Sequence, residues 1–219
     1  MSPEASDFLY PFIEREEKDA ETLLADLATS AQAKWAHSTQ LRLDTLAALE
    51  PGILAAAAEM AERFAAGGQV FAFGNGGSST DALEFARLLT RPPWGDPLPA
   101  RSLAVDQAVL TAIANDVGFE IVFSRQLIAY AHAGDIAVGF STSGNSDNLM
   151  AAFAEARKRG MLTVGLAGYD GGRMAASTDV AHCLTVRSDS VHRIQETQAA
   201  VAHALWDAVQ TKLREKGAA

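Results

Sequence analysis

Twice in this chain a short apolar run gives way to glycines and hydroxyl side chains, and then to a segment with apolar residues at helical spacing. The first is QVFAFG (69–74), continued by Asn75, Gly76, Gly77, Ser78 and Ser79. The second is DIAVGF (135–140), continued by Ser141, Thr142, Ser143, Gly144, Asn145 and Ser146, with Leu149, Phe153 and Ala156 one helical turn apart. Each unit reads as strand, tight turn and helix. RSLAV (101–105), LTVGLAG (162–168) and VAHCLTV (180–186) are further strand-like runs separated mainly by helix or loop. Strands alternating with helices need crossover connections. Their economical arrangement is a parallel sheet with helices on both faces. The expected fold class is therefore α/β.

The first 68 residues have a different texture and read as helix. Glu14, Glu16, Glu17, Asp19 and Glu21 are interspersed with Arg15 and Lys18 and lead into Leu23, Leu24 and Leu27. Leu41, Leu43, Leu46 and Leu49 mark a second helix, with Pro51 as its expected boundary. The alanines from Ala55 to Ala66 form a third helix, ended by Gly67 and Gly68. The organisation expected is a helical segment over residues 1–68 for packing or oligomerisation, and an α/β domain over residues 69–219. RPPWGDPLPA (91–100) is a Pro/Gly loop, and a helix over about 191–215 closes the chain.

The chain is acidic, with a formal net charge of -9 over 219 residues, which repels nucleic acid in general. An anionic ligand must then be held by local backbone and hydroxyl donors. Cys183 is the only cysteine, so no intrachain disulfide forms, in keeping with a reducing compartment. No signal peptide and no apolar stretch of membrane-spanning length is recognised. A cytoplasmic protein is expected.

The glycine and hydroxyl loops carry the chemistry. Glycines let backbone N–H groups face a ligand without side-chain obstruction, and a helix N-terminus adds partial positive charge there. Ser78 reads as the N-cap of a helix beginning near Ser79. One such loop alone is also what a tight structural turn looks like. Two of them, both following strand C-terminal ends and one carrying three serines and a threonine in six residues, point to phosphate.

Together with these loops, the segments GNGGS…DA, AVDQAVLTAIANDVGFE, FSRQL, GDIAVGFSTSGNSDN and RIQETQ…H resemble the sugar isomerase (SIS) domain and, within it, the phosphoheptose isomerase family. The resemblance runs from about Gly68 to Leu205. It implies a three-layer α/β/α fold around a five-stranded, flavodoxin-like parallel sheet, with the N-terminal helices as an extension. It further implies a homotetramer with sites at subunit interfaces, and conversion of sedoheptulose 7-phosphate to a heptose 7-phosphate. By position, Asn75, Gly76, Gly77, Ser78, Ser141, Thr142, Ser143 and Ser146 are the implied sugar-phosphate contacts, with Asp106 near the sugar and Gln195 in the site.

One motif departs. Family members that isomerise resemble DAxHFAxEL in the helix after the first loop, where His and Glu ligate a metal and the Glu is also the proposed base. Here the His position is Glu84 and the Glu position is Leu88. Gln195 and His203 match the family's remaining Gln and His, while His192 stands where Asp is frequent. The implied metal set, nominally for zinc, is thus Glu84, Gln195 and His203. The last two are eight residues apart, about 12 Å of helix axis. Glu84 also reads as a surface carboxylate paired with Arg87 or Arg91. The expected acid/base groups are His203 and Glu84 in an aldose–ketose isomerase with an altered site. The alternative is a non-catalytic sugar-phosphate sensor or adaptor, similar to family members that serve in replication control. Trp94 reads as a lid or interface anchor, His182 and Cys183 as residues of a strand, and Asp170-Gly171-Gly172 as a turn positioning the helix that follows.

Overall fold

The computed structural model describes residues 20–217. The acidic residues from Glu14 to Asp19 lie outside them. Along the chain come α1 (Ala20–Ala65), β1 (Val70–Gly74), α2 (Gly77–Thr90), β2 (Ala100–Ser102), α3 (Gln107–Asp116), a 3-10 turn (Phe119–Ile121) and α4 (Val122–Tyr130). There follow β3 (Ile136–Phe140), α5 (Asp147–Lys158), β4 (Leu162–Gly168), α6 (Gly172–Ala176), β5 (His182–Val186) and α7 (Val191–Gly217). The chain divides into two compact units, one ending at Thr39 and one from Gln40 onward.

All five strands are parallel, in the order β2-β1-β3-β4-β5. This is the flavodoxin-like order. Alternation along each strand sends side chains to opposite faces. Val70, Ala72, Ile136, Val138 and Phe140 join Phe85 and Leu89 of α2, Val201, Leu205 and Trp206 of α7, and Ile53, Met60 and Phe64 of α1 in one buried layer. Phe71, Phe73 and Ala137 face the other way, onto Phe123 and Leu127 of α4 and Leu149 and Phe153 of α5. Phe73 has its ring centroid 5.4 Å from that of Phe123 and 5.3 Å from that of Phe153. Truncating a core Phe of this kind costs about 3–5 kcal/mol.

Three local expectations are corrected. Pro51 does not end a helix: α1 runs through it. A proline there removes one backbone donor. The stripe formed by Leu46, Leu49, Ile53, Ala56, Met60 and Phe64 nevertheless continues onto the core without a break. The helix ends where glycine was expected to end it, with Gly67 at φ 87° and the Gly68 N–H donating to the Arg63 carbonyl at 2.8 Å. β2 is shorter than RSLAV, because the chain turns at Ser102, whose Oγ accepts from the Ala104 N–H at 3.3 Å. Ser78 is not the cap of α2. The helix starts at Gly77 with Gly76 as N-cap, and Ser78 is buried inside the first turn.

Candidate active site

β1 and β3 are neighbours although β2 lies between them in sequence. The winding of the sheet therefore reverses between them, and the turns leaving their C-terminal ends open onto one crevice. Gly74 is the register partner of Phe140, so the two hydroxyl-rich loops start at the same level.

In the first loop Gly76 has φ 55° and ψ -125°, a backbone conformation that side chains resist. Gly76 and Gly77 are exposed, and no side chain caps α2. In the second loop the buried Ser141 Oγ accepts from the Gly144 N–H at 3.0 Å, and Ser143 Oγ accepts from the Asn145 N–H at 3.2 Å. Ser141 thus holds the turn, while both hydroxyls keep an O–H to donate. Ser146 is the N-cap of α5, yet its hydroxyl makes no capping bond. Two helix N-termini without side-chain caps accordingly face the crevice, where unbonded N–H groups favour an anion. Asn75 and Asn148 tie the loops together by reciprocal amide bonds of 2.9 Å each. The Asn75 side chain is therefore engaged in joining the two loops. Asp147, an acidic residue at this anion-favouring end, is paired with Arg173.

The turn after β4 supports the second loop. Gly172 N–H donates to Asp170 Oδ1 and Arg173 N–H donates to Asn145 Oδ1. A side chain at Gly144 would collide with the Gly171 carbonyl. The Asp170-Gly171-Gly172 turn thus starts α6, as expected, and also braces the loop that ends in Ser146.

Beside the loops, α2, α7 and the end of β3 enclose a cavity of about 260 Å³. α2 lines it with Asp81, Glu84, Phe85 and Leu88, and α7 lines it with Ala199, Ala202 and His203. The structure therefore brings together the three positions on which the sequence reading turned: Glu84, Leu88 and His203. Glu84 and Arg87 form an ion pair of 2.6 Å, with both side chains about 60% exposed. The exposed His203 ring stands edge-on to Trp206, centroids 4.9 Å apart. Leu88 contributes an apolar wall where a base is implied.

Asp81 is the residue that the sequence reading passed over. It sits one turn before Glu84 on the same helix face, and that spacing was the available signal. Burial pushes its carboxyl up from its ordinary range, partly offset by a hydrogen bond with the Gln195 side chain. Its Oδ2 is enclosed with no hydrogen-bond partner among the described residues.

Other expected residues lie elsewhere. Asp106 caps α3, accepting from the Val109 N–H at 3.0 Å, and faces a separate hollow with Arg101 and Tyr130. Trp94 is half-buried against Trp206, with Arg214 over its ring, which gives it a packing role. His182 and Cys183 are in the edge strand β5. His182 bonds Glu59 at 2.9 Å, and burial raises the Cys183 thiol.

The residues implied for a metal do not fit one within a single chain. Glu84 is paired with Arg87, and the Gln195 amide lies against the Gly77 backbone and bonds Asp81. His203 is more than two turns farther along α7, against Trp206. Among the described residues no three His, Cys, Asp or Glu side chains converge as a ligand set.

The SIS-domain family model matches residues 34–168. The phosphoheptose isomerase of Roseiflexus sp. is 40% identical over 183 residues, covering 82% of this chain and 91% of the relative. The solved phosphoheptose isomerase of Neisseria gonorrhoeae superposes with a TM-score of 0.78 at 37% identity, covering 84% of this chain and 99% of that one. The Francisella tularensis structure gives 0.78 at 33% identity, covering 84% and 98%.

Proposed function

The chain belongs to the SIS-domain family and, within it, to the phosphoheptose isomerases, and from that premise we propose that it holds a phosphorylated sugar in the crevice between β1 and β3 and interconverts its ketose and aldose forms. The observation that carries the reading is the pair of loops with uncapped helix N-termini at adjacent strand ends. They supply neutral donors for a phosphate in an acidic protein. The phosphate lies against Gly76, Gly77, Ser78, Thr142, Ser143 and Ser146, with Ser141 shaping the turn and Asn75 joining the loops. The carbon chain enters the cavity lined by Glu84 and His203, and Gln195 orients groups at its mouth.

Isomerisation moves a proton between adjacent carbons and between their oxygens. His203 is the group that serves the oxygens, and Glu84 contacts a sugar hydroxyl at the exposed rim. With Leu88 at the implied base position, turnover of sedoheptulose 7-phosphate is weak or absent. The donor set supports at most weak zinc binding, below one ion per chain. The functional unit is a homotetramer in the cytoplasm with sites near subunit interfaces, as the family resemblance implies.

Isothermal titration with sedoheptulose 7-phosphate and a set of hexose and pentose phosphates tests the loops. Replacing Ser143 and Ser146 together by Ala removes two hydrogen bonds to a charged group, worth about 1.5–3 kcal/mol each. Unchanged affinity in that double variant sinks the assignment.

A further inference from the structure

We infer that the carboxylate taking the carbon-bound proton in this site is Asp81, supplying from one end of the cavity what Leu88 cannot supply from the other; this rests on the isomerase reading above. Asp81, Glu84 and Leu88 follow one another at three- and four-residue spacing on one face of α2, and all three line the cavity shared with His203. A substrate end that fills about 260 Å³ touches both ends of that face.

Two carboxylates face the cavity, and their surroundings separate them. Glu84 is solvated and its carboxylate is bonded to Arg87. Asp81 has one oxygen enclosed without a partner. Among the described residues no ion pair holds Asp81, so its carboxylate is not committed as that of Glu84 is. The Gln195 side chain fixes the carboxylate from the α7 side. Asp81 also lies one turn beyond Ser78, hence close to the phosphate loop.

The proton and electron balance closes without another reactant. Asp81 takes a proton from C1 of the ketose, and the electron pair left behind forms the C1=C2 bond. The C2 carbonyl oxygen takes a proton from the His203 imidazolium. Asp81 then returns its proton to C2 as O1 gives its proton to His203 and C1=O1 forms. The sugar leaves as the aldose, and both side chains end in their starting states.

The test measures solvent deuterium incorporation into a set of ketose and aldose phosphates, with titration calorimetry on the same samples, for wild type, Asp81→Asn, Asp81→Ala and Glu84→Gln. Asp81→Asn is expected to slow exchange about 10² to 10⁴-fold with binding held within about threefold, and Glu84→Gln to slow it less than about tenfold. Sodium formate, a carboxylate small enough for the space vacated in Asp81→Ala, is expected to restore part of the exchange. Exchange that survives Asp81→Asn, or a larger loss in Glu84→Gln, overturns the assignment and leaves the isomerase reading standing. A wild type that binds these sugars and exchanges none of them overturns both.

Discussion

At position 81 a carboxylate is held where water does not fully reach it, and this has a consequence for stability as well as for proton transfer. Burial raises the Asp81 carboxyl above its ordinary value of 3.8. A raised carboxyl favours the folded state only while it is protonated: the contribution is full below the unfolded value and is lost as pH rises through the folded one. At neutral pH the ionised group therefore destabilises the fold relative to an amide of the same shape. Asp81→Asn is expected to melt at a higher temperature than wild type at pH 7, with the gap closing as the pH is brought down toward 3.8. Thermal denaturation of the two proteins across that range checks the sign. A variant less stable than wild type at pH 7 would show that the carboxylate is held by partners that the burial argument omits. A gain in stability joined to a loss of exchange is the behaviour expected of a strained functional group. The place of Asp81 on one helix face with Glu84 was legible in the sequence, but its burial was not. The departures at Glu84 and Leu88 could be read from spacing along one helix. The enclosure of Asp81 depends on Gln195, brought against α2 by the far end of the chain.

At the scale of elements, what was legible followed from local chemistry. The apolar run 162–168 predicts a strand and β4 is Leu162–Gly168, because an apolar run ending in glycine has little alternative. The two loops were legible because their residue types serve a single purpose. The start of α2 was missed by two residues, since serine is the usual cap and the glycine conformation at position 76 leaves no signature in composition. In α1 tertiary packing overrides a local signal. Proline normally stops a helix, and only the tertiary stripe from Leu46 to Phe64 explains why Pro51 does not. A helix-interior proline costs about 3 kcal/mol relative to alanine, offset by roughly 0.4–1 kcal/mol through its effect on the unfolded chain. Pro51→Ala is accordingly expected to stabilise the protein by about 2–2.6 kcal/mol in urea denaturation. A destabilised variant would mean that the fixed proline geometry is needed for the course of α1.

At the scale of the molecule, the site exists because strands distant in sequence become neighbours. Periodicity identified the strands, and no local property of the chain states that β1 lies between β2 and β3. The order was legible only through the family resemblance, and the structure bears it out. Oligomeric state belongs to this scale too. Leu24, Leu27 and Trp35 of the first unit are 65%, 52% and 71% exposed, and in the second unit Leu43 and Leu54 are 59% and 46% exposed. An isolated helix is marginal in water unless an apolar face is covered. Burying one such side chain contributes about 1.5–3 kcal/mol, so a few of them per subunit, repeated by symmetry, can offset the cost of association. The expected assembly is a tetramer, with a mass four times the 23.1 kDa of one chain by light scattering at micromolar concentration. Trp35→Glu puts a charge into the face that would be covered and is expected to lower that mass. If sites lie near subunit interfaces, the smaller species should lose exchange activity in proportion. A wild-type mass of one chain refutes the assembly. A Trp35→Glu protein that dissociates yet keeps full exchange activity leaves the tetramer standing and shows that each subunit carries a complete site.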